Sequence, residues 1–282
     1  MPQLDPTTKP TPAAKAGVIA SIHRYPVKSM MGEELNATCV KASGVEGDRA
    51  FALKDTETGK VASAKNPSKW PSLFQFRAAF AAPLNGNGSL PPVRITLPDG
   101  EMVTSEDRDA EGRISASLGR QVQLLKGAPA ASSLEEYWPD IDDLARRDVV
   151  TDEAMPAETF FDCATIHILT TATLKSLQSL YPQGRFEARR FRPNFVIETD
   201  TPAGSFPENE WHEKTLAIGN EVKIRITGPC GRCVMTTLSQ SDLPKDTDIL
   251  KTAAKHNQAR VGVYAEVVQG GTVRRGDAVQ LI

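Results

Sequence analysis

The chain has 282 residues, 40% of them hydrophobic, and 33 lysines and arginines against 35 acids leave a formal charge of −2. That length and apolar share suffice for one large or two ordinary buried cores, and the near-neutral balance without a long basic block excludes a nucleic acid as the main partner. No apolar run reaches the roughly 18 residues a spanning helix needs, which excludes a helical membrane span.

MPQLDPTTKPTPAAKAG at the N-terminus is polar and proline-rich, with neither the apolar centre of a signal peptide nor the arginines of a transit peptide. Residues 1–16 are expected to be a disordered lead-in. Short β segments are predicted over 18–25, 34–40, 49–54, 74–81 and 93–97, separated by Gly32, Gly44, Gly47, Gly59 and the NGNG run. A short helix within 105–120 precedes the strand QVQLL, and 127–160, mixing prolines and acids, reads as a long connection. The second half opens with the strand ATIHILT and a helix in which Leu174, Leu177, Leu180 and Tyr181 share a face. NFVIET, EVKIRI and VMTTL follow as strands, then a helix over DTDILKTAAKHN, and the chain closes through VGVYAEVV and AVQLI. Two β-rich parts with few helices predict barrels rather than a doubly wound sheet.

Four cysteines, Cys39, Cys163, Cys230 and Cys233, make no disulfide framework and fit a reducing cytoplasm. The informative pair lies in PCGRCVMTT, where Arg232 favours the anionic form of either thiol. A zinc knuckle needs a second ligand pair, and the remaining candidates (Cys39, Cys163, His23, His167, His212, His256) show no repeated spacing. A thioredoxin-type dithiol would open a helix, whereas this pair enters an apolar, strand-like run. An inert buried pair and a thiolate on a soft metal held mainly by other ligands stay open.

Four further stretches carry cations and hydroxyls. RYPVKSM presents Lys28 and Ser29, and GVEGDRAF delivers Asp48 and Arg49 from a glycine turn. ILTTATL places Thr170 and Thr171 at a strand-to-helix junction, and RRFRPNFVI sets Arg192 and Asn194 at a strand entry, with Arg189 and Arg190 reading as a wet face.

In this order, with FPENEWHEKTLAIG and GTVRRGDAVQL, these motifs resemble the proteins that join a molybdenum-cofactor-sulfurase C-terminal (MOSC) domain to an N-terminal β-barrel-like partner, in the branch of the mitochondrial amidoxime-reducing component and its bacterial relatives. The resemblance runs from about residue 17 to the end. It implies a mixed, β-rich fold of two β-barrel-like lobes with a few short helices: an N-terminal domain over 17–128, whose first strands are candidates to complete the C-terminal barrel, and a MOSC domain over 129–282. The molybdenum cofactor would lie between them. Cys233 would ligate molybdenum, and Lys28, Ser29, Arg49, Thr170, Thr171, Arg192, Asn194, Gly231 and Arg232 would hold the pterin and its phosphate. Asp48 is the nearest carboxylate, expected to serve Arg49 structurally. The implied activity is reduction of small N-oxygenated compounds in the cytoplasm, with a molybdenum-cofactor or sulfur carrier as the alternative. The chain ends after GDAVQLI without Cys-x4-Cys-x2-Cys spacing, so electrons are expected from a separate flavin, haem or iron–sulfur protein.

Overall fold

The computed structural model describes residues 14–142, 144–202 and 204–282, so the expected lead-in lies almost wholly outside them. Its last residues, 14–16, are not a lead-in: they open strand β1 (Ala14–Arg24), where Ala14 and Lys15 pair with Leu281 and Gln280. Strand β1 turns back into β2 (Glu33–Leu35), and β3 (Ala37–Lys41) and β4 (Gly44–Val45) make a small hairpin. The next strand, β5 (Phe51–Asp55), leads to a meander of β6 (Arg77–Phe80), β7 (Val93–Thr96) and β8 (Met102–Thr104). Helix α1 (Ala110–Leu118) returns the chain as β9 (Val122–Lys126), which pairs with β5. Among the described residues, hydrogen bonding does not close this lobe into a barrel, because β5–β9 and β6–β7–β8 form separate ladders. The space between them is filled by Phe51, Trp70, Leu73, Phe76, Ile95 and Ile114.

The presumed connection over 127–160 contains a hairpin, β10 (Ser133–Trp138) with β11 (Val149–Ala154). It is stitched to the loop after β5 by Val61 N donating to Ser133 O (2.9 Å) and Tyr137 N donating to Lys65 O (2.8 Å). Beyond its strands, Ile141 seats on helix residues Leu250 and Ala254 of the C-terminal half.

The remaining elements are β12 (Ile166–Thr170), α2 (Thr171–Leu180), α3 (Ala188–Phe191), β13 (Phe195–Glu198), β14 (Thr215–Ile218), β15 (Val222–Gly231), α4 (Asp248–Asn257), β16 (Arg260–Gln269), β17 (Gly271–Arg274) and β18 (Ala278–Leu281). Seven strands close a barrel in the order β13-β12-β16-β15-β14-β18-β1, with β1 pairing back to β13. Closure leaves no hydrogen-bonding edge on these strands. The barrel interior holds Ile19, Ile22, Ile166, Ile168, Phe195, Ile197, Ile224 and Val263. All its pairings are antiparallel except β12 with β13, which are joined through α2 and α3 as a parallel pair requires. Gly17, at φ 150° beside a bulge in β1, lets the strand pass so near β13 that a Cβ would sit 2.1 Å from Glu198 O.

VMTTL is not a strand. Val234–Thr237 form a 3₁₀ turn, an outcome that a short apolar run does not distinguish from a strand. Met235 of this turn enters the N-terminal lobe's core, so the segment carrying Cys233 is packed between the barrel and that lobe. The predicted strand over 74–81 likewise begins as a 3₁₀ turn at Leu73–Gln75. Among the described residues no helix is long and apolar enough to cross a membrane.

Candidate functional site

A cleft of about 810 Å³ opens between the barrel and the N-terminal lobe, with the β10–β11 hairpin as one wall. Lys28, Arg49, Arg192, Asn194, Gly231, Arg232 and Cys233 line it. Ser29, Thr170 and Thr171 do not. The Ser29 hydroxyl accepts from Ala64 N (3.1 Å), and Thr171 Oγ1 faces Thr199 N (3.4 Å). Thr170 caps α2 through Thr173 N (3.2 Å) and donates to the buried Glu208 carboxylate (2.6 Å). These three hydroxyls engage backbone N–H groups and Glu208 rather than the cleft.

Backbone strain marks the same places. Ser29, Arg49 and Arg192 hold φ of 62°, 48° and 55°, the left-handed region that non-glycine residues seldom occupy. Tyr25 anchors two of them, because its ring carries the Arg192 guanidinium at 4.1 Å and that of Arg49 at 4.6 Å. Burial pushes the Tyr25 phenol up to about 12 against the pull of those arginines, so it stays neutral. Burial and the neighbouring Arg49 draw Arg192 down to about 10, which leaves it charged at neutral pH, and its Nη1 donates to Met30 O (2.7 Å). Asp48 is the hub behind them. Its fully covered carboxylate pairs with Arg49 and accepts from Tyr25 N (2.7 Å) and Asn194 Nδ2 (2.8 Å), while Asn194 Oδ1 accepts from His167 N (3.0 Å). The candidate carboxylate therefore supports Arg49 and does not face the cleft.

The two thiols of the motif differ. Arg232 serves Cys230: its Nη1 lies 2.6 Å from that sulfur and its Nη2 donates to Phe191 O (2.8 Å), while its buried Nε has no partner among the described residues. Burial pushes the Cys230 thiol up, but Arg232, His167 and Tyr264 outweigh it and hold Cys230 well below the ordinary thiol range. At Cys233 burial prevails over the pull of Lys65, Glu136 adds to it, and the thiol is pushed up to about 11. Cys233 is thus a protonated thiol at neutral pH.

Residues that no motif advertised complete the site. Lys65 comes from the loop after β5, Glu136 from the hairpin, Asp162 from the approach to β12 and Tyr264 from β16. Lys65 Nζ contacts Glu136 (2.9 Å) and Asp162 (3.5 Å), and Asp162 also pairs with Lys28 (2.5 Å). Desolvation would raise the Asp162 carboxyl, yet Lys28, Lys65 and Arg49 hold it far below the usual carboxylate range. Arg190, read as a wet face, is wholly buried.

The donor set fits an anionic, metal-bearing group. Five cations (Lys28, Arg49, Lys65, Arg192, Arg232) line the cleft against three carboxylates (Glu136, Glu153, Asp162). Among the described residues no three His, Cys, Asp or Glu side chains are placed to hold a metal ion, so a metal at Cys233 would need its other ligands from a bound group.

Residues 156–280 match the MOSC domain and residues 16–117 the MOSC N-terminal beta barrel domain, the latter including β1, which completes the C-terminal barrel. The chain belongs to the MOSC-domain family. Two curated relatives are molybdenum cofactor sulfurases. The one from Bombyx mori is 34% identical over 90 residues, 31% of this chain and 10% of the relative. The one from Drosophila grimshawi is 25% identical over 252 residues, 85% of this chain and 31% of the relative. This MOSC chain therefore spans less than a third of the length of those relatives. Among solved structures, the YUAD protein from Bacillus subtilis aligns over 95% of both chains at 12% identity and a TM-score of 0.47.

Proposed function

We propose that this MOSC protein is a molybdenum-cofactor-dependent oxidoreductase that reduces small N-oxygenated compounds such as hydroxylamines, amidoximes and N-hydroxylated bases. One observation carries the reading: the Cys233 thiol opens into the same cleft as an excess of cationic side chains. When bound, molybdenum on its pterin supplies the two-electron reduction chemistry that side chains lack. The chain's own residues bind and orient. Lys28, Arg49 and Arg192 offer charge-assisted donors to the phosphate, with Asn194 and Asp48 fixing Arg49 from behind and Met30 O and the Tyr25 ring fixing Arg192. Cys233 exchanges its proton for the soft metal. Gly231 has no side chain to obstruct the cleft, and Arg232 holds the turn between the two cysteines. Ser29, Thr170 and Thr171 act as supports for these contacts. Trp138, Leu144 and Ala145 give the hairpin side of the cleft an apolar end, suited to a small substrate. A separate flavin, haem or iron–sulfur protein delivers electrons, and the cytoplasm is the proposed location.

The test is composition followed by turnover. Protein from a cofactor-competent host should carry close to one molybdenum and one pterin per chain and consume benzamidoxime with a chemical electron donor. Protein lacking both groups defeats the reading.

A second reading has its own support. The matched relatives are named for cofactor sulfuration, and the Cys230–Arg232 pair offers an anionic sulfur beside Cys233. A carrier of the cofactor or of its sulfur would load pterin yet leave every N-hydroxylated compound untouched.

A further inference from the structure

Asp162 sits between two lysines at the wall of the cleft. Its Oδ1 lies 2.5 Å from Lys28 Nζ and its Oδ2 3.5 Å from Lys65 Nζ, so each carboxylate oxygen faces one lysine. The lysines come from separate places, Lys28 from the turn after β1 and Lys65 from the loop after β5. Both are covered, with side chains 6% and 12% exposed, whereas the Asp162 side chain is 31% exposed and lines the cleft. In this cluster solvent therefore reaches the anion more readily than the cations. The ammonium groups also have anchors of their own: Lys28 Nζ donates to Phe160 O (2.8 Å), and Lys65 Nζ holds Glu136 Oε2 (2.9 Å). Buried charges persist only when compensated. The carboxylate supplies that compensation while no ligand is bound, and it can leave without dismantling the cradle.

We propose that Asp162 is the resident counter-ion of an anion seat formed by Lys28 and Lys65, and that a phosphate group binds there by displacing the Asp162 carboxylate into the cleft. The inference rests on the reading of this cleft as the place for a phosphate-bearing group, and adds that loading is an exchange of one anion for another. A phosphate brings nearly twice the charge of a carboxylate and three acceptor oxygens. The exchange is favourable, but less so than binding to bare lysines, so Asp162 sets how readily the seat fills and empties.

The experiment titrates inorganic phosphate into the cofactor-free full chain by calorimetry at fixed ionic strength. Asp162→Asn, nearly isosteric, should bind phosphate at least about tenfold more tightly than the parent, and Lys65→Gln at least about tenfold more weakly. Equal or weaker binding by an Asp162→Asn protein with the parent's circular dichroism overturns the proposal. Should that variant not fold, Lys65→Gln decides: a tenfold loss supports the seat, and unchanged affinity refutes it. Pterin and molybdenum content of the same preparations tests the functional reading separately. Tighter phosphate binding without any pterin leaves the seat standing and defeats that reading, whereas normal pterin loading with phosphate affinity unchanged in both variants defeats the seat alone.

Discussion

Arg190 is the largest fully buried side chain, and no carboxylate pairs with it among the described residues. Its guanidinium is compensated by four backbone carbonyls: Nε donates to Arg185 O (2.9 Å), Nη1 to Thr236 O (3.2 Å) and Leu238 O (3.1 Å), and Nη2 to Pro244 O (2.9 Å). Three of these acceptors belong to the segment that leaves Cys233, so Arg190 fixes the course of the chain beyond the thiol. Arg190→Met keeps most of the volume and removes the donors. Each orphaned buried carbonyl costs on the order of 1 kcal/mol or more, and water entering the gap together with relief of the buried charge recovers part of that. The expected net loss is about 3 kcal/mol, a large share of a typical stability of about 5–15 kcal/mol. Arg190→Lys, which retains the charge but not the planar fork, should lose about 2 kcal/mol. Urea unfolding followed by circular dichroism measures both. Cys233 in the loosened turn should also react faster with a thiol reagent, which a general loss of stability confined to the other lobe would not produce. A loss under about 1 kcal/mol for Arg190→Met, with unchanged thiol reactivity, would show that the four bonds do not hold the turn.

The remaining expectations concern the cleft and one buried acid. Cys233→Ser should abolish turnover and molybdenum retention while Cys230→Ser does much less, and the reverse ranking would sink the assignment of the metal ligand. Arg192→Ala should lower pterin content several-fold with a circular dichroism spectrum like the parent's, and undiminished pterin would remove Arg192 from the phosphate contacts. Glu208 is buried, accepts from Thr170 and Thr173 Oγ1 (2.6 and 2.7 Å), and has its carboxyl raised above 4.5 chiefly by desolvation. The native state thus holds a proton that the unfolded chain releases, and stability falls as pH rises from about 4.5 to the raised value. Glu208→Gln should shrink the drop in Tm between pH 5 and pH 8, and an equal drop in both proteins would argue that Glu208 is ionised in the fold.

Much of the architecture was legible because it is written locally. Alternation and glycine punctuation mark β1, β12, β15 and β16, and the Leu174–Leu177 spacing marks α2. The β10–β11 hairpin was hidden among acids because its stability comes from outside itself. Lys60 and Lys69 reach Glu135 (3.3 and 3.2 Å), and Lys65 reaches Glu136 (2.9 Å), cancelling a charge that reads as solvation. Arg190 has a related reason: an arginine beside Arg189 signals surface unless carbonyls of a distant segment, here Thr236, Leu238 and Pro244, converge on it.

The sequence by itself determined the ordered set of motifs, the family they belong to, and which residue types could meet an anion and a soft metal. Tertiary structure alone decided how they are shared. It brought Lys28, Arg49, Arg192 and Cys233 to one cleft, turned Ser29, Thr170 and Thr171 inward as supports, gave Arg232 to Cys230, and added Lys65 and Asp162 from stretches with no pattern. The physical reason is that charge and burial depend on neighbours through space, and barrel closure brings together side chains as far apart along the chain as Lys28 and Tyr264.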